Sequence, residues 1–128
     1  MIRVTCAIIE NKNKVLCAQR SALMNLPLKW EFPGGKLEAG ESEEDCLIRE
    51  IREELNLIIG NLERLPANIH NYGEGKIIEL IPFKCKLLES SLILKEHAEV
   101  QWLAKDELLS LDWAEADIPI VQYYKQHF

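Results

Sequence analysis

The chain has 128 residues, 48% of them hydrophobic, which suffices for one buried core and leaves no length for a second domain. Its net charge of -6 argues against a nucleic-acid polymer as the main partner, because a phosphate backbone trades its counterions for Lys and Arg. No stretch approaches the roughly 20 apolar residues of a membrane span, and the apolar run after Met1 is too short for an export signal, so a cytoplasmic protein without a membrane partner is expected.

Residues 2–9, rich in Ile, Val and Thr, read as a strand. Asn11-Lys12-Asn13-Lys14 reads as a turn and Val15 to Gln19 as the second strand of a hairpin. Cys6 and Cys17 lie in these apolar runs. Together with Cys46 and Cys85 they form no CxxC pair, so reduced, buried thiols are expected. The segment from Ser21 to Lys29 reads as a loop that runs into Trp30-Glu31-Phe32-Pro33-Gly34-Gly35, where Pro-Gly-Gly is strong loop punctuation.

A helix is predicted from Ser42 to Leu55. Ser42 is a good N-cap, Asp45 can close a capping box, and Asn56 suits the left-handed residue at the C-terminal end. Strands follow over residues 57–65 and 77–88, joined by a loop around residues 71–75, and a further strand over 99–103. Residues 106–109 suit one helical turn, and residues 118–126 a helix with Pro119 in its first turn. His70, His97 and His127 form no motif and are expected at the surface or in loops. The pattern predicts one α/β domain over residues 1–128, with a mixed sheet and two main helices.

The predicted helix has two distinct faces. At about 100° per residue, Glu43, Glu50 and Glu54 fall within about 40° of one another, with Glu53 to one side. Leu47, Ile48, Ile51 and Leu55 occupy the adjacent sector. Like charges at these spacings repel, and nothing in folding asks for them. A solvated acidic face is one explanation. The other is Mg²⁺, which favours hard oxygen ligands and relieves the repulsion.

The residues before the helix bear on that choice. Gly35, five residues, Glu41, seven residues, then Arg49-Glu50-Ile51-Arg52-Glu53-Glu54 and Leu57 resemble the Nudix box, G-x5-E-x7-R-E-U-x-E-E-x-G-U. The match spans 23 residues and departs at one place, where Asn56 stands for the family's second glycine. Asn is tolerant of positive φ, so the helix end should survive. Trp30 to Lys36 and Ala116-Asp117-Ile118-Pro119 look like the MutT branch of that family. The resemblance implies an α/β/α sandwich with a central mixed sheet, and a Mg²⁺-dependent pyrophosphohydrolase (Mn²⁺ an alternative cation).

By resemblance, Glu50 and Glu54 are metal ligands, Glu53 is a ligand or the base that activates water, and the Gly34 carbonyl completes the set. Glu41 and Arg49 look like the pair that holds helix to loop. Glu96 matches a further acid of the branch, with Glu99 a rival for that role. Arg20 stands where the branch places a phosphate-contacting arginine. Trp30 and Phe32 offer aromatic walls for a base, with Trp113 a further stacking partner. Asp117 stands where purine-oxidation enzymes of the branch carry an asparagine that reads the base. An ionised Asp offers only acceptors, to which the cytosine amine is a natural donor. CTP, dCTP or a 5-modified dCTP is therefore the expected substrate, with 8-oxo-dGTP as the alternative. A binding module that senses nucleotide without cleaving it is the alternative of another class, and it requires a broken catalytic set. Monomer and homodimer both remain open.

Overall fold

The computed structural model covers residues 1–128. Its strands are β1 (Ile2–Asn11), β2 (Lys14–Gln19), β3 (Trp30–Glu31), β4 (Gly34–Lys36), β5 (Leu57–Arg64), β6 (Asn68–Asn71), β7 (Ile77–Ser90) and β8 (Glu99–Leu103). The helices are α1 (Glu43–Leu55) and α2 (Ile118–His127), and 3-10 turns cover Lys105–Ser110 and Glu115–Asp117.

Alternation along β1 sorts the molecule into layers. Cys6 and Ile8 enter one core while Ala7 and Ile9 enter the other. α1 covers the second face with Leu47, Ile51 and Leu55, and α2 covers the first with Ile120, Val121 and Tyr124. The result is a helix–sheet–helix sandwich. Each fully buried Leu or Ile contributes about 1.5–3 kcal/mol, so the paired cores fix α1 against the sheet. β1 and β7 run parallel from Ile2↔Ile78 to Glu10↔Lys86, whereas β1–β2, β1–β4 and β5–β7 are antiparallel, which makes the sheet mixed.

The β1–β2 hairpin turns on Lys12 (φ 51°) and Asn13 (φ 64°), both left-handed, as a two-residue hairpin loop requires. Ser42 caps α1 by accepting from the Asp45 amide at 3.0 Å, and Asn56 ends it at φ 54°. Only that half of the expected capping box is formed. All four cysteines are free and buried.

Three expectations need correction. Ile48 is 38% exposed and lies outside the buried sector of α1, whereas Cys46, at 0% and with its sulfur 3.4 Å from the Thr5 hydroxyl, is buried against β1. Gly34–Lys36, expected as loop, is β4 and pairs with β1. β6 was not foreseen in the segment before Asn71; it pairs with β7 from Asn68↔Leu80 to Asn71↔Ile77.

Candidate active site

Where β4 meets α1, two adjacent glycines serve different needs. Neither has positive φ. A Cβ at Gly34 would stand 1.9 Å from the Thr5 carbonyl oxygen, because β4 lies hard against β1. A Cβ at Gly35 would stand 2.2 Å from Cδ of Glu50 and 2.3 Å from its Oε2. Glycine at 35 thus makes the seat on which the Glu50 side chain lies.

Arg49 ties this seat together. Its guanidinium donates from Nε to Glu41 Oε2 at 2.6 Å and from Nη2 to Glu41 Oε1 at 2.9 Å, a two-pronged pair. Nη1 reaches Glu50 Oε1 at 2.9 Å and Glu53 Oε2 at 3.2 Å. Glu41 also accepts from the Glu38 amide at 3.1 Å, which anchors the loop before α1. The Arg49 hydrogen bonds hold the Glu41 carboxyl down at about 2, and Arg49 itself is raised in turn.

Glu54 behaves differently. Burial raises its proton affinity most, and the neighbouring Glu50 carboxyl, then the charges of Glu96 and Glu31, raise it further. Carboxyls four residues apart on one helix favour a proton or a cation between them. No three acidic, histidine or cysteine side chains converge closely enough to cage a cation, since Arg49 draws oxygens of Glu50 and Glu53 toward itself. The Glu53 side chain is 60% exposed and is held by the 3.2 Å contact from Arg49. The donor set, all carboxylate oxygen, suits a hard divalent cation. Glu96 and Glu99 are both exposed, and of the two Glu96 is the one whose charge is felt at Glu54.

Other expected residues lie across the sheet edge. The Arg20 Nη1 group donates to Glu31 Oε1 at 2.8 Å and its Nε to the Asn25 carbonyl at 2.6 Å. Trp30 and Phe32, expected as stacking walls, are 7% and 3% exposed and belong to the core under α2. Trp113, 4% exposed, packs its ring 4.8 Å from that of Phe32. None of the three presents an open face, because strand alternation turns both β-edge aromatics inward. Asp117 does not cap α2; it is 5% exposed and accepts the Phe32 amide on Oδ2 at 2.9 Å. Burial, then the charge of Glu31, pushes its carboxyl well above the usual range.

Two residues were not foreseen. Glu31, flanked by core aromatics, points to the opposite face, toward α1, and its charge is felt by both Glu54 and Asp117. Period-2 alternation would have shown this had residues 30–32 been read as a strand. His97, expected at the surface or in a loop, is in a loop but only 7% exposed, with Nε2 2.9 Å from Glu31 Oε2.

Comparison with known proteins accords with this geometry. The family model for the NUDIX domain matches residues 1–124. A CTP pyrophosphohydrolase of Escherichia coli is 37% identical over 124 residues, covering 97% of this chain and 91% of that protein. An 8-oxo-dGTP diphosphatase of the same organism is 37% identical over 126 residues, covering 98% and 97%. A solution structure of MutT from methicillin-resistant Staphylococcus aureus superposes with a TM-score of 0.76 at 47% identity, over 99% of this chain and 97% of that one.

Proposed function

The chain belongs to the Nudix family and is a nucleoside triphosphate hydrolase, and we propose that it releases nucleoside monophosphate and pyrophosphate with Mg²⁺ bound at the acidic face of α1. The observation that carries this reading is the crowding of Glu50, Glu53 and Glu54 on α1 beside Gly35, whose missing Cβ makes room for the Glu50 side chain, a gathering of like charges that a divalent cation relieves. Glu50, Glu54, Glu53, the Gly34 carbonyl and Glu96 would hold the metal. A bound divalent cation supplies charge neutralisation on the phosphate oxygens and acidifies water.

The chain's own groups do the rest. The exposed Glu53 takes the proton from water as its oxygen bonds to the β-phosphorus. The α,β-bridging bond breaks, and its electron pair leaves on the monophosphate oxygen. Arg49 and Glu41 position the acids. Arg20, held beside Glu31 at the sheet edge, lies where the resemblance puts a phosphate contact.

Cytosine nucleotides are the preferred substrates in this proposal, in keeping with the relative named CTP pyrophosphohydrolase and with Oδ1 of Asp117, the oxygen that the Phe32 amide does not occupy. A second reading, oxidised purine triphosphates, is favoured by one observation: the raised proton affinity of Asp117, which turns an acceptor into a donor for a purine carbonyl. The protein acts in the cytoplasm on this proposal, where buried free thiols persist. Pyrophosphate release from CTP, dCTP, 5-methyl-dCTP, dGTP and 8-oxo-dGTP tests it. A kcat/KM preference of about tenfold for the cytosine compounds (about 1.4 kcal/mol) supports the first reading. The opposite preference establishes the second, and no release from any of them refutes both.

A further inference from the structure

Residues 91–98 link β7 to β8 and are exposed at every position except His97, whose side chain is 1% exposed. Backbone bonds tie the loop at both ends. Ile93 donates to the Leu55 carbonyl at 3.0 Å, Lys95 to the Glu54 carbonyl at 3.4 Å, and Ala98 to the Gln19 carbonyl at 2.9 Å. Between the last two of these ties stand Glu96 and His97, without backbone bonds to the sheet or helix.

The imidazole alone fastens that stretch from the inside. A carboxylate can only accept, so His97 donates from Nε2 to Glu31 Oε2. Its Nδ1 is buried with no partner. A histidine serving only to fill space would be replaceable by an apolar side chain without that orphaned nitrogen, so the buried polar ring calls for a reason. The reason lies in Glu31. Its second oxygen accepts from Arg20 at 2.8 Å, so His97 and Arg20 together fix both carboxylate oxygens on the α1 face. The charges of Glu31 and Glu96 both reach Glu54.

We propose that His97 is a positioning residue: its Nε2–H locks Glu31 against Arg20 and draws the 91–98 loop inward, which fixes where the neighbouring Glu96 stands. The role of Glu96 rests on the metal-site reading above; the locking of the loop does not. Glutamine places its amide nitrogen near the histidine Nε2 position, and asparagine places its own near Nδ1, so the two substitutions separate the roles of the ring nitrogens.

The test titrates Mn²⁺ into the nucleotide-free full chain by electron paramagnetic resonance and follows backbone amide exchange over residues 91–98. His97→Asn should weaken Mn²⁺ binding about tenfold and speed exchange at Ala98, while His97→Gln stays within about threefold of wild type in both. Glu31→Gln, which alters the shared acceptor, should reproduce the faster exchange and stands in if His97→Asn does not fold. Equal behaviour of the Asn and Gln variants, or unchanged exchange in His97→Asn, overturns the proposal. If wild type binds no Mn²⁺, the metal-site reading fails, and the exchange data alone decide whether His97 positions the loop.

Discussion

Gly35→Ala isolates the seat of Glu50. The added Cβ would lie 2.2 Å from Cδ of Glu50 and 2.3 Å from its Oε2. Carbon atoms pack at about 3.5–4.0 Å, so the carboxyl must withdraw by at least about 1 Å. Glutamate is flexible and only 15% exposed at its side chain here, so it turns rather than breaking the fold. A misplacement of about 1 Å at a reacting centre costs on the order of 10²-fold, so kcat/KM should fall about 100-fold, or about 2.7 kcal/mol. Stability should change by less than about 1 kcal/mol. Gly34→Ala is the control of opposite sense. Its Cβ would meet the Thr5 carbonyl oxygen at 1.9 Å and Cys6 Cα at 2.7 Å, and backbone cannot turn aside. That variant should lose about 3 kcal/mol or fail to fold. Pyrophosphate release and urea unfolding read the two quantities separately. Wild-type activity in Gly35→Ala, or wild-type stability in Gly34→Ala, would refute the reasoning.

Three further outcomes follow from the same geometry. Glu53→Gln should cut kcat by about 10²–10⁴ while the Mg²⁺-nucleotide complex still forms by calorimetry, and undiminished turnover would remove Glu53 from the role of base. Asp117 is buried with its proton affinity raised, so the folded chain keeps a proton that the unfolded chain loses above about 3.9. Stability therefore falls as pH rises from there, by about 1.4 kcal/mol per pH unit until the folded group itself ionises. Asp117→Asn has no such proton, so its melting temperature should exceed wild type by a margin growing roughly 4 °C per unit from pH 5 upward; a margin that stays flat contradicts the burial argument. Glu41 shows the reverse sign. Arg49 holds it at about 2, so its contribution is complete above about 4.3 and is lost as pH falls through about 2. Glu41→Gln should lack that acid limb in melts run from pH 5 to 2, and an unchanged limb would assign it elsewhere.

The acidic face of α1 was legible because helical spacing alone fixes angular position: Glu50, Glu53 and Glu54 needed no knowledge of the rest of the chain. Ser42 and Asn56 were legible for the same local reason, since a cap depends on residues within one turn. β3 and β4 were not, being two and three residues long, with too little alternation to register and their partners elsewhere in the chain. That gap carried errors with it. Trp30 and Phe32 are visible as aromatic, but which face they take is decided by the two-residue β3 and the residue that follows it. His97 was opaque for another reason. Its burial arises from a contact 66 residues away in sequence, and nothing in a loop of exposed neighbours signals it. Asp117 stands at the start of α2 with a helical φ of -83° and ψ of -24°, and its side chain reaches an amide 85 residues away, a contact that nothing local in the sequence announces.

That contact makes Glu31 the link between the base and the phosphates. With Oδ2 of Asp117 committed to Phe32, only Oδ1 remains to meet a base. Whether it accepts or donates depends on the proton, and after burial the largest force keeping that proton is the charge of Glu31. The same charge adds to the proton affinity of Glu54. Removing it by Glu31→Gln should let Asp117 ionise more readily and favour the cytosine amine over a purine carbonyl. The measured quantity is the ratio of kcat/KM for CTP to that for 8-oxo-dGTP, which should rise several-fold. A ratio left unmoved would mean that base choice is settled by shape around Asp117 and not by its proton. A ratio that falls would mean that Glu31 itself, and not Asp117, supplies the acceptor for the cytosine amine.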